Sequence, residues 1–169
     1  MRTVAEILER WGRGRVERLK SLHREAGQRT TGRTERMFDS EVTMPAGKYV
    51  LKIYGAPWIE YLERGRGATQ SGRSSGESLY EKMKKWVRDK GIVANLQKEY
   101  EKNSVAYLIA RKIHSEGTLM HRTGRNAGGH SNPVSRAFPD EEIQQVLREL
   151  GDIYETEISS EILKAWQQV

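Results

Sequence analysis

The chain has 169 residues, 36% hydrophobic and 31% charged, with a mean hydropathy of −0.77; it can bury one core, but too little of it is apolar for every segment to be covered by the chain itself. Twenty-nine Lys and Arg against 23 Asp and Glu leave a net charge of +6, which suits a nucleic-acid or other anionic neighbour without requiring one, because most charges alternate in sign along helical stretches. The absence of cysteine excludes disulfides and thiolate metal sites, and no apolar run nears the roughly eighteen residues of a membrane span or resembles a signal-peptide core, so a soluble protein made in the cytoplasm is expected.

Residues 2–27 are expected to be a helix, capped at Thr3, with Val4, Ile7, Leu8 and Trp11 on one face and the stripe resuming at Val16, Leu19 and Leu22 after Gly12-Arg13-Gly14. Two glycines so close together should bend it, each at about 1 kcal/mol relative to alanine. The polar stretch QRTTGRT at 28–34 is a connector turning at Gly32. From Met37 to Met44 the residues alternate, Phe38, Val42 and Met44 inward and Asp39, Glu41 and Thr43 outward. After the turn Pro45-Ala46-Gly47, Tyr49, Leu51 and Ile53 alternate with Val50, Lys52 and Tyr54, which completes a hairpin, so residues 30–54 form the β part. Gly55-Ala56-Pro57 ends the ladder, since proline has no amide hydrogen to donate. The short amphipathic segment Trp58 to Glu63 then opens on Arg64-Gly65-Arg66-Gly67.

The glycine- and serine-rich stretch 65–76, GRGATQSGRSSG, is expected to be a flexible loop. Ser78 should start a helix with the stripe Leu79, Met83, Trp86 and Val87, closed at Gly91. A short helix over 92–102 and another from Ser104 to Gly117, with Val105, Leu108, Ile109 and Ile113, follow. A second flexible loop spans 118–138, with three glycines, two histidines and three arginines; loops of that length inside a compact domain tend to be functional or to order on a partner. Pro139-Asp140-Glu141-Glu142 begins a helix with acids at its positive end. Its apolar stripe, Ile143, Val146, Leu147, Leu150, Ile153, Tyr154, Ile158, Ile162 and Trp166, continues nearly to the C-terminus. At about 45 Å this helix is longer than so small a domain needs to cover its sheet, and Gly151 and Ser159-Ser160 are where it should bend.

Neither a phosphate loop nor HExxH nor GxSxG is present. His114, His121 and His130 with Glu116 could be imagined as a metal-dependent nuclease site, but their spacing matches no ligand signature and no acid cluster completes it; they read as surface residues. Arginines 64, 66, 73, 122, 125 and 136 lie in the two glycine-rich loops, either as sequence-blind phosphate contacts or simply as solubilising groups. Trp58, Tyr61 and Leu62, and Leu79, Met83 and Trp86, have the helical spacing of core packing, not of a ligand pocket.

In order, the segments TTGRTERMF before a strand, APWIEYLERGRG after a hairpin, SLYEKMKKWVRDKGI, SVAYLIARKIHSEGT and a long C-terminal helix resemble the tail-completion, or neck, proteins of tailed bacteriophages. The matching positions are Thr31-Gly32, Tyr61 to Gly65, Trp86 to Ile92 and Ala106 to Thr118, and the order of these short motifs extends over about four-fifths of the chain. The resemblance implies an α+β fold, a small curved antiparallel sheet built on a hairpin and packed by long N- and C-terminal helices with short helices between them, in a single domain over 1–169. It implies a structural virion protein, not an enzyme, with no catalytic residue, cofactor or metal: a head-tail connector assembled in the host cytoplasm as a homo-oligomeric ring around the DNA channel. Its partners would be portal or adaptor proteins, tail terminator or tail tube proteins and, transiently, phage DNA, with no membrane. Arg64, Arg66, Arg73, Arg122 and Arg125 would be the candidate DNA-channel contacts, and Trp58, Tyr61, Ile158, Ile162 and Trp166 the candidate contacts between subunits. A sequence-nonspecific nucleic-acid-binding module outside the virion is the alternative that the basic charge supports.

Overall fold

A computed structural model describes residues 3–69, 76–92, 99–126, 129–130 and 132–166. It is 67% helical with one two-stranded antiparallel sheet, the expected α+β class. The packing divides the chain into two compact units, Met1–Leu22 with Met37–Gly55 and Val134–Val169, and His23–Arg36 with Ala56–Pro133. No change of composition marks the boundary.

The first unit is organised by two helices, α1 (Val4–Glu25, whose last turn belongs to the second unit) and α8 (Asp140–Trp166). Thr3 caps α1: its Oγ1 accepts the Glu6 amide at 3.2 Å, and the Glu6 carboxylate accepts the Thr3 amide at 2.8 Å. This reciprocal capping box satisfies two amides that a helix start otherwise leaves open. Val4 and Ile7 are buried with Val146 and Ile153, and Leu8, Trp11 and Leu150 pack around them. Arg10 donates to both carboxylate oxygens of Glu149, at 2.6 and 2.7 Å, and Arg15 pairs with Glu142. Because the numbering rises along α1 as it falls along α8, the helices run antiparallel. Val4 is then level with about Tyr154, and residues 155–166, roughly 18 Å of helix, run past the start of α1.

Neither helix is interrupted where its glycines or serines suggested a weak point. Both α1 and α8 are continuous through Gly12, Gly14, Gly151 and Ser159-Ser160. Gly12 has a packing reason: a Cβ there would stand 2.8 Å from Leu51 Cδ1 and 3.1 Å from Ser40 Oγ. The glycine lets the hairpin lie directly on α1. Its strands β1 (Asp39–Thr43) and β2 (Val50–Tyr54) pair from Asp39 opposite Tyr54 to Thr43 opposite Val50. Ser40, Val42, Leu51 and Ile53 are half-buried, while Glu41, Lys52 and Tyr54 face outward. The turn between the strands has Ala46 at φ 50° and Gly47 at φ 77°, with the Lys48 amide donating to Pro45 O at 3.0 Å. Two central residues at positive φ match the right-handed twist of the strands.

Met44, expected inside by alternation, is 57% exposed, and Tyr49 across the turn is 40% exposed. They flank the turn, where all residues from Met44 to Val50 are exposed, so the hairpin tip extends beyond what α1 covers. Alternation assigns a face but not the existence of something to cover it.

In the second unit, α2 is a single helical turn (Arg33–Arg36) in the stretch expected to be connector and strand. After α3 (Ile59–Arg64), α4 (Leu79–Lys90) is capped as expected, Ser78 Oγ accepting the Glu81 amide at 3.2 Å and Gly91 closing the helix at φ 64°. The next helix, α5 (Glu99–Glu116), begins five residues before Ser104; of the short helix expected over 92–102, residues 93–98 lie outside the described residues. Val87 and Ala106 form the α4–α5 core, surrounded by Tyr80, Met83, Val105 and Ile109. The segment 118–138 is not one loop: it contains α6 (Leu119–Thr123), capped by the Thr118 hydroxyl, and α7 (Pro133–Ala137), which from Val134 onward belongs to the first unit. A Thr cap and a Pro start were helix signals, masked by the surrounding glycines.

The glycine geometry separates two substitutions that helix propensity treats as equal. Gly14→Ala, with open space around its Cβ, should stabilise the protein by up to about 1 kcal/mol. Gly12→Ala should instead lower the thermal midpoint, because the hairpin must move off α1; paired thermal unfolding measurements check both.

Candidate functional site

The glycine-rich segment after α3 is laced to the chain around α6. Thr118 N donates to Arg66 O at 2.8 Å, Arg66 N donates to Thr118 Oγ1 at 2.9 Å, and Thr69 N donates to His114 O at 2.9 Å. Residues 65–69 are therefore held in place, against the expectation of a free loop, while 70–75 lie outside the described residues. Two glycines permit the approach. A Cβ on Gly117, at φ 80°, would be 2.7 Å from Arg66 O, and one on Gly65, at φ 75°, would collide with Thr118 Oγ1 at 2.5 Å and with the His121 amide.

This lacing decides what the predicted arginines can do. The Arg66 guanidinium folds back onto Thr69 Oγ1 at 2.9 Å. Arg122 is bound to Glu116 at 2.5 Å. Arg64 ends α3 and approaches Glu60 at 3.6 Å, with both side chains more than 70% exposed, a pairing of little strength in water. Arg125 is exposed, and no carboxylate pairs with it among the described residues; Arg73 lies outside them. Of the predicted arginines in this unit, Arg64 and Arg125 are thus the described ones left exposed and at most loosely paired, whereas Arg66 and Arg122 are held by Thr69 and Glu116. Arg136, also exposed, is on α7 in the other unit.

Of the histidines in the imagined metal site, His121 lies against Gly67, and Glu116 is held by Arg122. Among the described residues no three His, Asp, Glu or Cys side chains gather as metal ligands. A cleft of about 410 Å³ lined by Ala26, Gly27, Leu62, Trp86, Lys90 and His130 also lies in this unit. Two of its polar groups are engaged at the end of α1: Lys90 Nζ donates to Gly27 O at 2.5 Å and Arg29 O at 2.6 Å, and Asn126 Nδ2 donates to Ala26 O. A cation and an amide satisfying the carbonyls at a helix C-terminus are structural groups.

Sequence reasoning missed a buried cluster around Glu35. His23 and Glu35 are 2% and 7% exposed, with Nδ1 and Oε1 3.6 Å apart; Arg24 Nε donates to Glu35 Oε2 at 3.0 Å, and Arg29 Nε is 3.5 Å from Oε1. Burial is the main reason the His23 pKa is lowered, and it outweighs the attraction of Glu35. Burial acts on Glu35 in the opposite sense, raising its pKa, but the hydrogen bond and charge of Arg24 and the charge of Arg29 prevail and lower it. The signal was present as His23 and Arg24 ending one helix and Glu35 eleven residues beyond Arg24, but nothing in the spacing shows that the intervening connector doubles back.

The residues predicted at subunit contacts separate by burial. Trp58 is half-buried within its unit, its Nε1 donating to Thr34 Oγ1 at 3.0 Å and its ring lying 5.1 Å beneath the Arg33 guanidinium. Tyr61 is 64% exposed. Ile158, Ile162 and Trp166 lie on the part of α8 that overruns α1, at 58%, 52% and 80% exposure, and Tyr154 and Leu147 continue their row. At 100° per residue these five residues form an outward stripe separate from the buried Val146, Leu150 and Ile153. Thus α8 carries two apolar faces, and among the described residues one is covered and the other exposed.

Gly117→Ala should cost several kcal/mol, because both backbone conformation and space are denied; Gly124→Ala, with φ 68° but open surroundings, should cost about 1 kcal/mol. Denaturant unfolding of the two variants tests the lacing. A group whose pKa is lower folded than unfolded adds stability above its unfolded pKa and loses it as pH falls. Stability should therefore decline below about pH 6.5 through His23 and again below about pH 4.5 through Glu35. Glu35→Gln should lower stability at pH 7 by about 1–3 kcal/mol and flatten the lower limb of the profile, as measured by denaturant titrations across pH.

No family model matches this chain, and no significantly similar curated protein or solved structure was found.

Proposed function

We propose that the protein is a structural subunit of a tailed-bacteriophage neck, forming a homo-oligomeric ring that joins the portal-bearing head to the tail and surrounds the DNA channel. The observation that carries this reading is the outward stripe of α8, five large apolar side chains at 46–80% exposure on one helix. A ridge of this size on a chain of low hydropathy suits a permanent neighbour better than water. The ordered motifs that resemble neck proteins supply the station, between portal or adaptor proteins and the tail terminator or tail tube. The same motifs offer no catalytic group, and the described clusters around Glu35 and Lys90 are explained by folding.

DNA contact in this reading is weak and blind to sequence. Arg64 and Arg125 would meet passing phosphates through groups held only loosely by the protein, and a few such contacts are easily screened by salt. A tight grip would hinder passage of the genome.

Electron microscopy and native mass spectrometry of the purified protein, alone and with portal or tail components, test the assignment. Rings or a joined particle are expected. A persistent monomer that retards DNA in a gel at physiological salt would replace it with the nucleic-acid-binding reading. Arg64→Glu with Arg125→Glu should leave folding and ring formation unchanged while reducing packaging or ejection of DNA.

A further inference from the structure

We propose that the exposed hairpin tip of one copy docks on the overhanging stripe of α8 of a second copy, head to tail. This rests on the ring reading above and assigns its contact surfaces. Both lie in the first unit, and both are bare in the single chain. The tip, Met44 to Lys52, exposes Met44, Tyr49 and Val50 and carries Lys48 and Lys52 with no acid. The overhang exposes Ile158, Ile162 and Trp166, with Tyr154 exposed at its edge, and the segment 152–164 carries Asp152, Glu155, Glu157 and Glu161 against Lys164 alone. One surface is apolar and basic, the other apolar and acidic. Among the described residues none of these charges has an ion-pair partner, so each is available to the other.

The charge distribution also argues against the simpler pairing of α8 with itself. In an antiparallel pair centred between residues 156 and 157, Asp152 of each copy would come opposite Glu161 of the other, acid against acid at both ends of the seam; like charges brought together at an interface oppose association. A contact between two different surfaces of the same chain is heterologous, and such contacts close into rings when the rotation permits. Gly151 fits this assignment. It lies in the outward stripe of an otherwise continuous helix, with nothing within 4 Å of where its Cβ would be, at about 1 kcal/mol relative to alanine. Packing within the chain does not require it, but it leaves a notch in which a neighbouring side chain such as Met44 could seat.

The stripe from Leu147 to Trp166 is about 28 Å long and one helix wide, on the order of 300 Å², well below the roughly 800 Å² per partner of a stable pair. One contact alone is therefore weak, and closure, which gives every subunit two contacts, supplies the persistence. Association should be concentration-dependent and weaker at high salt.

Charge reversal tests the pairing. In sedimentation velocity at low salt, Lys48→Glu with Lys52→Glu, and separately Glu155→Lys with Glu161→Lys, should each weaken self-association by about tenfold or more, as two surface pairs turn from attraction to repulsion. Circular dichroism and thermal unfolding should match the parent protein. Mixing the two variants should restore association, because each tip then meets a tail of opposite charge. The chain has no cysteine, so Met44→Cys mixed with Ile162→Cys should yield a disulfide-linked pair under mild oxidation, in preference to Ile162→Cys alone. Rings that form regardless of either reversal would overturn this pairing while leaving the ring reading intact. So would loss of association that mixing fails to rescue, or preferential Ile162–Ile162 linkage. A parent protein that stays monomeric at high concentration would overturn both.

Discussion

The antiparallel contact between α1 and α8 is the constraint on which the first unit depends. Its apolar centre is small, four buried side chains with Leu8, Trp11 and Leu150 around them, and its register is set by Arg10 on Glu149 and Arg15 on Glu142. The bidentate geometry of the first bridge admits little sliding. Once the register is set, the rest follows. Gly12 faces the hairpin, α1 ends its cover of α8 near Tyr154, and the apolar side chains Ile158, Ile162 and Trp166 beyond it are exposed.

The second unit solves a different problem, holding polar, glycine-rich chain in place with little apolar area. Its α4–α5 core rests on Val87 and Ala106. The remainder relies on hydrogen bonds between segments distant in sequence, Arg66 to Thr118, Thr69 to His114, Lys90 to the end of α1, and the Glu35 cluster. Such bonds are worth about 1 kcal/mol each, but a broken one leaves a partner stranded. That asymmetry makes the close approach at Gly65 and Gly117 a requirement, not a convenience.

The functional reading grows from what these two solutions leave over. The buried clusters at the α1–α8 and α4–α5 contacts are served by the chain itself, while two apolar surfaces of opposite charge, the hairpin tip and the far part of α8, are exposed among the described residues. The described titratable clusters are absorbed by helix ends and loop anchoring. In the proposed reading, assembly would use the surplus apolar surface, and the channel would use exposed arginines such as Arg64 and Arg125.

The sequence by itself determined the α+β class, the hairpin and its turn, the caps at Thr3 and Ser78, the stop at Gly91 and the unusual length of the last helix. Each of these is local: a cap, a turn or a periodicity is settled within a few residues of the groups that create it. Tertiary structure alone decided that Gly12 is a contact point within a continuous helix, that Met44 lies outside, that Arg66 and Arg122 are held by Thr69 and Glu116, and that His23 and Glu35 meet. It also decided which stripe of α8 is covered. Those outcomes depend on which distant segment arrives beside a residue, and alternation or spacing along one chain carries no record of the neighbour.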